Sequence, residues 1–162
     1  MPQVRVHHAL GSYPVIVAPG ALGELAATVR RLWPDRRVAI VTDETVKALL
    51  GDRLAGGPWQ PVLAIPPGEE SKTRDSWLEL TDALLSAGFS RDSALVAIGG
   101  GVVGDLAGFV AATLARGIPY AQVPTTLLAQ IDACIERFLR PRLDAQVLDT
   151  PGTRIHHPPA DL

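Results

Sequence analysis

Five apolar residues, Ala94-Leu95-Val96-Ala97-Ile98, run into Gly99-Gly100-Gly101 and then directly into the alanine-rich stretch that begins Val102-Val103-Gly104-Asp105. A short apolar run closed by glycines and followed by a helical pattern describes a buried strand that bends straight into a helix. The bend is a candidate phosphate cradle. Glycine lets backbone approach a ligand closely, and the first amide groups of a helix carry partial positive charge toward an anion. Gly99, Gly101 and Gly104 also match the spacing G-x-G-x-x-G in the strand-to-helix setting that the spacing requires. The competing explanation is a tight turn whose glycines serve only close packing.

Upstream, Val4, Val6 and His8, then Tyr13 to Val17, read as two short strands, with His7 and His8 at a strand edge. Leu22, Leu25, Ala26, Val29 and Leu32 recur at helical spacing until Trp33-Pro34 stops them. A strand from Arg37 to Thr42 ends in Asp43, which can accept hydrogen bonds from a ribose at a strand's carboxyl end or cap the next helix. Trp59 to Ile65 reads as a further strand, closed by Pro66-Pro67-Gly68. Glu69, Glu70 and Lys72 then stand at a helix entrance. Acidic groups suit a helix start, but a lysine in a first turn opposes the dipole, which points to a ligand or a carboxylate partner for Lys72. Pro124-Thr125-Thr126 closes a short strand after Arg116-Gly117, and its hydroxyls suit either helix capping or ligand donation.

Strand and helix alternate about five times, which predicts a Rossmann-like α/β layered domain with a largely parallel sheet. Right-handed crossovers would bring Asp43, Glu69, the glycine loop and Thr125-Thr126 to one rim. Two departures from the standard dinucleotide fold stand out: the glycine loop follows a late strand, and Thr125 stands about 20 residues beyond it where an acid is expected. Composition narrows the class of ligand. The 162 residues are 47% hydrophobic and 20% charged, with a formal net charge of -2 and a pI near 6.0. That balance offers no footprint for nucleic acid or anionic membrane. The single cysteine, Cys134, excludes an intrachain disulfide framework and reads as a small core residue. With no signal-like start and no apolar run near the roughly 20 residues of a membrane span, a cytoplasmic location is expected.

The blocks Gly99 to Thr113, Arg116 to Pro119 and Gln122 to Asp132, with Pro67 to Lys72 upstream, closely resemble the 3-dehydroquinate synthase family over about Val4 to Asp132. The resemblance implies the NAD-binding half of an enzyme that cyclises a seven-carbon sugar-acid phosphate in the shikimate route to aromatic amino acids. The family uses NAD and a divalent metal, zinc or cobalt. It implies contacts from Asp43, Glu69 and Lys72 to the adenosine and ribose end of NAD. Gly101, Val102, Val103, Gly104 and Asp105 correspond to the pyrophosphate loop, and Thr125 and Thr126 to the nicotinamide side. Asp132 matches a substrate contact, and Arg116 an arginine that reaches a phosphate oxyanion in the adjoining subunit of a homodimer.

After Asp132 the resemblance stops. Phe138 stands where a lysine is expected, and the helical domain with the family's metal ligands has no counterpart, so no residue is assigned to a metal. His156 and His157 belong to a proline-rich stretch that reads as solvated tail. The expected organisation is an NAD-binding domain over 1–132 and a divergent, poorly ordered tail over 133–162, as in a truncated or frame-shifted copy of weak or no activity. A noncatalytic NAD-binding or dimerisation module and a cyclase of other sugar phosphates are the alternatives. Leu127, Leu128 and Ile131 are expected to form an exposed apolar rim.

Overall fold

The computed structural model describes residues 3–8, 11–132 and 142–149. Among these residues seven strands form one sheet: β1 (Gln3–His8), β2 (Gly11–Ala18), β3 (Arg37–Asp43), β4 (Val62–Ile65), β5 (Ser93–Gly99), β6 (Pro119–Pro124) and β7 (Arg142–Asp149). Their spatial order is β1-β2-β7-β6-β5-β3-β4. β1 and β2 make an antiparallel hairpin, and every other neighbouring pair is parallel. The central strands β5 and β6 are buried along their whole length, which is why β5 reads as an apolar run without alternation.

Helices cover both faces. On one side α1 (Leu25–Leu32) and α2 (Glu44–Ala55) pack through Leu25, Val29 and Leu54 onto Ile40, Val96, Ile98, Ala121 and Val123. On the other, α3 (Arg74–Ser86) and α4 (Gly101–Thr113) pack through Leu80, Leu84, Leu106 and Val110 onto Ala39, Val41, Leu95, Ala97 and Tyr120. Successive strand residues serve opposite layers, so each strand contributes to two cores. α1 ends where Trp33, the residue before Pro34, leaves helical geometry at φ -140° and ψ 66°. The expected α/β layering and largely parallel sheet are therefore present.

The sheet extends past the expected boundary at Asp132. β7 lies between β2 and β6 and is parallel to both, pairing Val15–Ala18 with Gln146–Asp149 and Pro119–Gln122 with Arg142–Gln146. Without it, the facing edges of β2 and β6 would leave their backbone groups unpaired inside the sheet. The alternation Leu143, Ala145, Val147 is the strand signal that the surrounding prolines obscured. The rest of the expected tail, with Cys134, Phe138, His156 and His157, lies outside the described residues.

α5 (Leu127–Asp132) follows β6. Leu127 and Leu128 are 74% and 73% exposed, in line with the expected apolar rim, while the Ile131 side chain lies outside the description. Among the described residues no helix is long and apolar enough to cross a membrane.

Candidate functional site

The chain reverses direction across the sheet between β3 and β5. From β3 it proceeds by way of α2 outward to β4, and from there it returns past β3 to β5 and moves the opposite way to β6. The helices that leave β3 and β5 consequently diverge onto opposite faces, and a crevice opens at the carboxyl ends of the two strands. It is lined by Asp43 from β3, the Ile65–Gly68 loop after β4 and Gly100–Val103 after β5. The acid and the glycine loop, far apart in sequence, come from neighbouring strands. An acid thus stands beside the glycine loop although the sequence has none about 20 residues downstream of it.

The glycines of the loop divide by function. A Cβ on Gly99 would lie 2.6 Å from Cγ2 and 2.7 Å from Cβ of Val103, so this glycine permits close packing of α4 on β5. A Cβ on Gly104 would collide with the amide of Gln122. A Cβ on Gly101 would meet no described atom within 4 Å, although the residue faces the crevice. The packing explanation thus holds for Gly99 and Gly104 and fails for Gly101. No side chain caps α4, and its first internal hydrogen bond runs from Gly104 N–H to the Gly100 carbonyl over 3.1 Å. The amides of Gly101, Val102 and Val103 precede the helical ladder and point to the crevice end, the arrangement that receives a phosphate anion.

Asp43 fills one of the two roles that the sequence left open, the helix cap, and stands at the crevice. Its Oδ1 accepts from Val46 N–H at 2.8 Å as the N-cap of α2, and the carboxylate also borders the crevice. Beside it the buried Thr42 hydroxyl donates to the Ile98 carbonyl at 2.7 Å, tying the ends of β3 and β5 together under the crevice floor.

Lys72 is not in a helical first turn. It terminates a short 3-10 turn, Glu69–Ser71, while Thr73 is the N-cap of α3, its hydroxyl accepting from Ser76 N–H at 3.1 Å. No opposition to the α3 dipole arises. Its suspected carboxylate partners are real: Lys72 Nζ pairs with Asp105 in the first turns of α4 and lies 3.7 Å from Glu69 Oε1. The pair links the loop after β4 to the start of α4 and offsets a negative charge close to the phosphate cradle.

The hydrogen bond to Asp105 raises the Lys72 pKa above the ordinary lysine value, helped by the charges of Asp105 and Glu69 and opposed by partial burial. For a lysine with a raised folded-state pKa, the linked stability is complete below the unfolded-state value and is lost as the pH climbs through the folded-state value. Urea unfolding is therefore expected to show this contribution constant through neutral pH and vanishing in the alkaline range, and Lys72→Met to remove the alkaline dependence. The side chains are 43% and 46% exposed, so the effect stays below about 1 kcal/mol.

Thr125 N–H donates to the Gly99 carbonyl at 2.9 Å, and Thr126 Oγ1 accepts from Ala129 N–H at 3.2 Å, capping α5. Thr126 also lies beside the loop, 3.5 Å from where a Gly100 Cβ would be. Arg116 is elsewhere. It follows the C-terminal end of α4, about 20 Å from the cradle at 1.5 Å per residue, in an exposed turn where Ala115, Arg116 and Gly117 have φ of 49°, 70° and 105°. Asp132 ends α5, and its side chain lies outside the description. Tyr120 and Gln122, beneath the loop on β6, are site neighbours that sequence reasoning missed. Two polar residues at a spacing of two within an otherwise apolar strand were the available signal.

The open space at Gly101 and the helix amides that no described side chain caps are features suited to an anion such as a pyrophosphate. Metal is a different matter: among the described residues no group of three or more His, Cys, Asp or Glu side chains could hold an ion. Fold and crevice together define a Rossmann-like α/β domain of the dinucleotide-binding kind.

A model of the 3-dehydroquinate synthase N-terminal family matches residues 62–137. The chain is 41% identical over 140 residues to 3-dehydroquinate synthase of Latilactobacillus sakei, covering 83% of this chain and 39% of that protein. It is 47% identical over 129 residues to the Enterococcus faecalis enzyme, covering 76% and 36%. The chain belongs to the 3-dehydroquinate synthase family and spans a little over a third of the length of these curated relatives.

Among solved structures, 2-deoxy-scyllo-inosose synthase complexed with carbaglucose-6-phosphate, NAD+ and Co2+ matches with a TM-score of 0.76 at 22% identity, over 91% of this chain and 45% of that one. The 2-epi-5-epi-valiolone synthase of Streptomyces hygroscopicus, with NAD+ and Zn2+ bound, matches with a TM-score of 0.71 at 27% identity, over 92% and 45%.

Proposed function

We propose that the chain is the NAD-binding half of a cytoplasmic 3-dehydroquinate synthase. That enzyme is a carbon-oxygen lyase converting 3-deoxy-D-arabino-heptulosonate 7-phosphate to 3-dehydroquinate with loss of phosphate. The observation that carries the reading is the unfilled space at Gly101, a glycine on which the fold itself makes no demand, at the uncapped start of α4. Bound there, NAD supplies a hydride acceptor that returns the hydride within the same cycle.

The amides of Gly101, Val102 and Val103 hold the pyrophosphate, and Gly104 keeps the first turn of α4 close to the sheet. Asp43 and Glu69 accept hydrogen bonds from ribose hydroxyls, while Lys72 neutralises Asp105 so that an anion can approach the helix start. Thr125 and Thr126 border the nicotinamide side, and Asp132 contacts the sugar-acid phosphate. The divalent metal of the full-length family finds no ligand set among the described residues, and no step of this proposal runs through it. Arg116 lies too far from its own cradle to serve it. Its outward presentation on a left-handed turn suits the site of a second copy, which makes the working form a homodimer.

Calorimetric titration with NAD tests the reading. Saturable binding with one site per chain is expected; a flat titration of folded protein would remove it. Zinc-supplemented phosphate-release assays, run with the heptulosonate phosphate and with a hexose 6-phosphate, then separate a 3-dehydroquinate synthase from a cyclase of other sugar phosphates. NAD binding with no release from either substrate assigns a binding module.

A further inference from the structure

β6 presents Tyr120 and Gln122 toward α4, and Ala121 and Val123 toward the opposite layer. On the β5 side of β6, the sheet presents the aliphatic residues Leu95 and Ala97 from β5 and Ala39 and Val41 from β3 to the same α3–α4 layer. Two polar side chains in this position are costly to bury without defined partners. Tyr120 is fully buried, and its hydroxyl donates to the Gly104 carbonyl at 2.9 Å. Its ring lies against Gly108, 3.8 Å from where a Cβ would be. Gln122, 5% exposed, places its amide in the space that a side chain on Gly104 would need.

Gly104 and Gly108 are four residues apart and therefore share one stripe of α4, a groove that receives both β6 side chains. The Gly104 carbonyl has two lone pairs, so accepting from the phenol leaves its helical hydrogen bond available. The phenol thereby ties the first full turn of α4 to β6 without interrupting the ladder.

Resting on the NAD reading above, we propose that Tyr120 and Gln122 are positioning residues. Acting through Gly104, they set the tilt and height of the α4 N-terminus, and hence the aim of the Gly101, Val102 and Val103 amides. A core that needed only volume here would be served equally by phenylalanine and methionine. Amide donors aimed at an anion lose their effect with small displacements, so a contact that fixes their direction is read out in affinity more than in stability.

The test compares the full chain with Tyr120→Phe, which keeps the ring and removes only the hydroxyl, and with Gln122→Met, which keeps length and removes the amide. NAD affinity is measured by calorimetry, Tm by scanning calorimetry, and backbone amide exchange along α4 by mass spectrometry. The expected result is a three- to tenfold weaker Kd for Tyr120→Phe, with Tm moved by no more than a few degrees and faster exchange confined to the first turns of α4. Gln122→Met is expected to give a smaller change of the same kind. Unchanged Kd in both folded variants would overturn the proposal, as would a lower Tm with uniform exchange, the mark of a merely structural role. If the parent chain itself binds no NAD, the functional reading fails separately. The exchange data then decide: local loosening of the α4 start in Tyr120→Phe sustains the positioning role, and an unchanged profile removes it.

Discussion

Gly101→Ala is expected to leave the chain folded and to weaken NAD binding at least tenfold, about 1.4 kcal/mol. The two halves of this expectation come from the same observation. Among the described residues nothing lies within 4 Å of the position a methyl group would take, so the substitution clashes with no described part of the fold. Gly101 is the first helical residue of α4 and has no positive φ, so alanine fits its backbone. Exchanging glycine for alanine at a compatible site restricts the unfolded chain, and the variant is expected to gain about 0.5 kcal/mol in stability. The methyl group, however, stands at the lip of the cradle and keeps a pyrophosphate from the amides behind it. Calorimetric titration beside a thermal melt checks both halves. A variant that binds NAD as well as the parent does would return the loop to a packing device.

Gly99→Ala has the opposite signature. Here the new methyl group would sit 2.7 Å from Val103 Cβ, an atom fixed to the helix backbone, and no rotamer of Val103 relieves the contact. α4 has to lift away from β5. Val103 is 2% exposed and its layer is shared with Leu106, Ala107 and Val110, so the lift opens packing along the helix. Overpacking of this kind costs roughly 2–3 kcal/mol, which in a domain of this size lowers Tm by about 4–12 °C. Urea unfolding is the direct measurement. A loss below about 0.5 kcal/mol would show that α4 slides freely over the sheet, and would also undermine the idea that its start is held in place.

These two glycines, two positions apart in one motif, illustrate where sequence reasoning succeeds and where it stops. The strand–glycine–helix grammar was legible because a strand buried on both faces and an uncapped helix start each leave a compositional trace. So were the ends of β3 and β6, where Asp43 and the threonine pair stand. What the spacing G-x-G-x-x-G could not reveal is which glycine faces a neighbouring side chain and which faces open space, since that depends on contacts across the sheet.

Lys72 shows the same limit at shorter range. Its placement relative to α3 turned on whether the helix began before or after Thr73, a matter of one turn. Its partnership with Asp105 joins the loop after β4 to the start of α4, which the parallel pairing of β3 with both β4 and β5 brings together. Tyr120 and Gln122 were overlooked because a single strand does not say what lies above it. β7 was overlooked because proline-rich flanks outweighed a clear alternation.

The placement of β7 has a consequence for how the chain leaves the ribosome. Among the described strands, β1 and β2 come first in the chain, yet the parallel neighbour of β2 is β7, which comes last. Until Arg142–Asp149 emerges, β2 and β6 each carry a bare edge, and nascent polypeptide in that condition invites pairing with other extended segments. Closure by so distant a partner is slow by nature. Trigger-factor-like holdases, or mere dilution during refolding, are therefore expected to matter more for the yield of this protein than for one whose strands pair in the order of their synthesis.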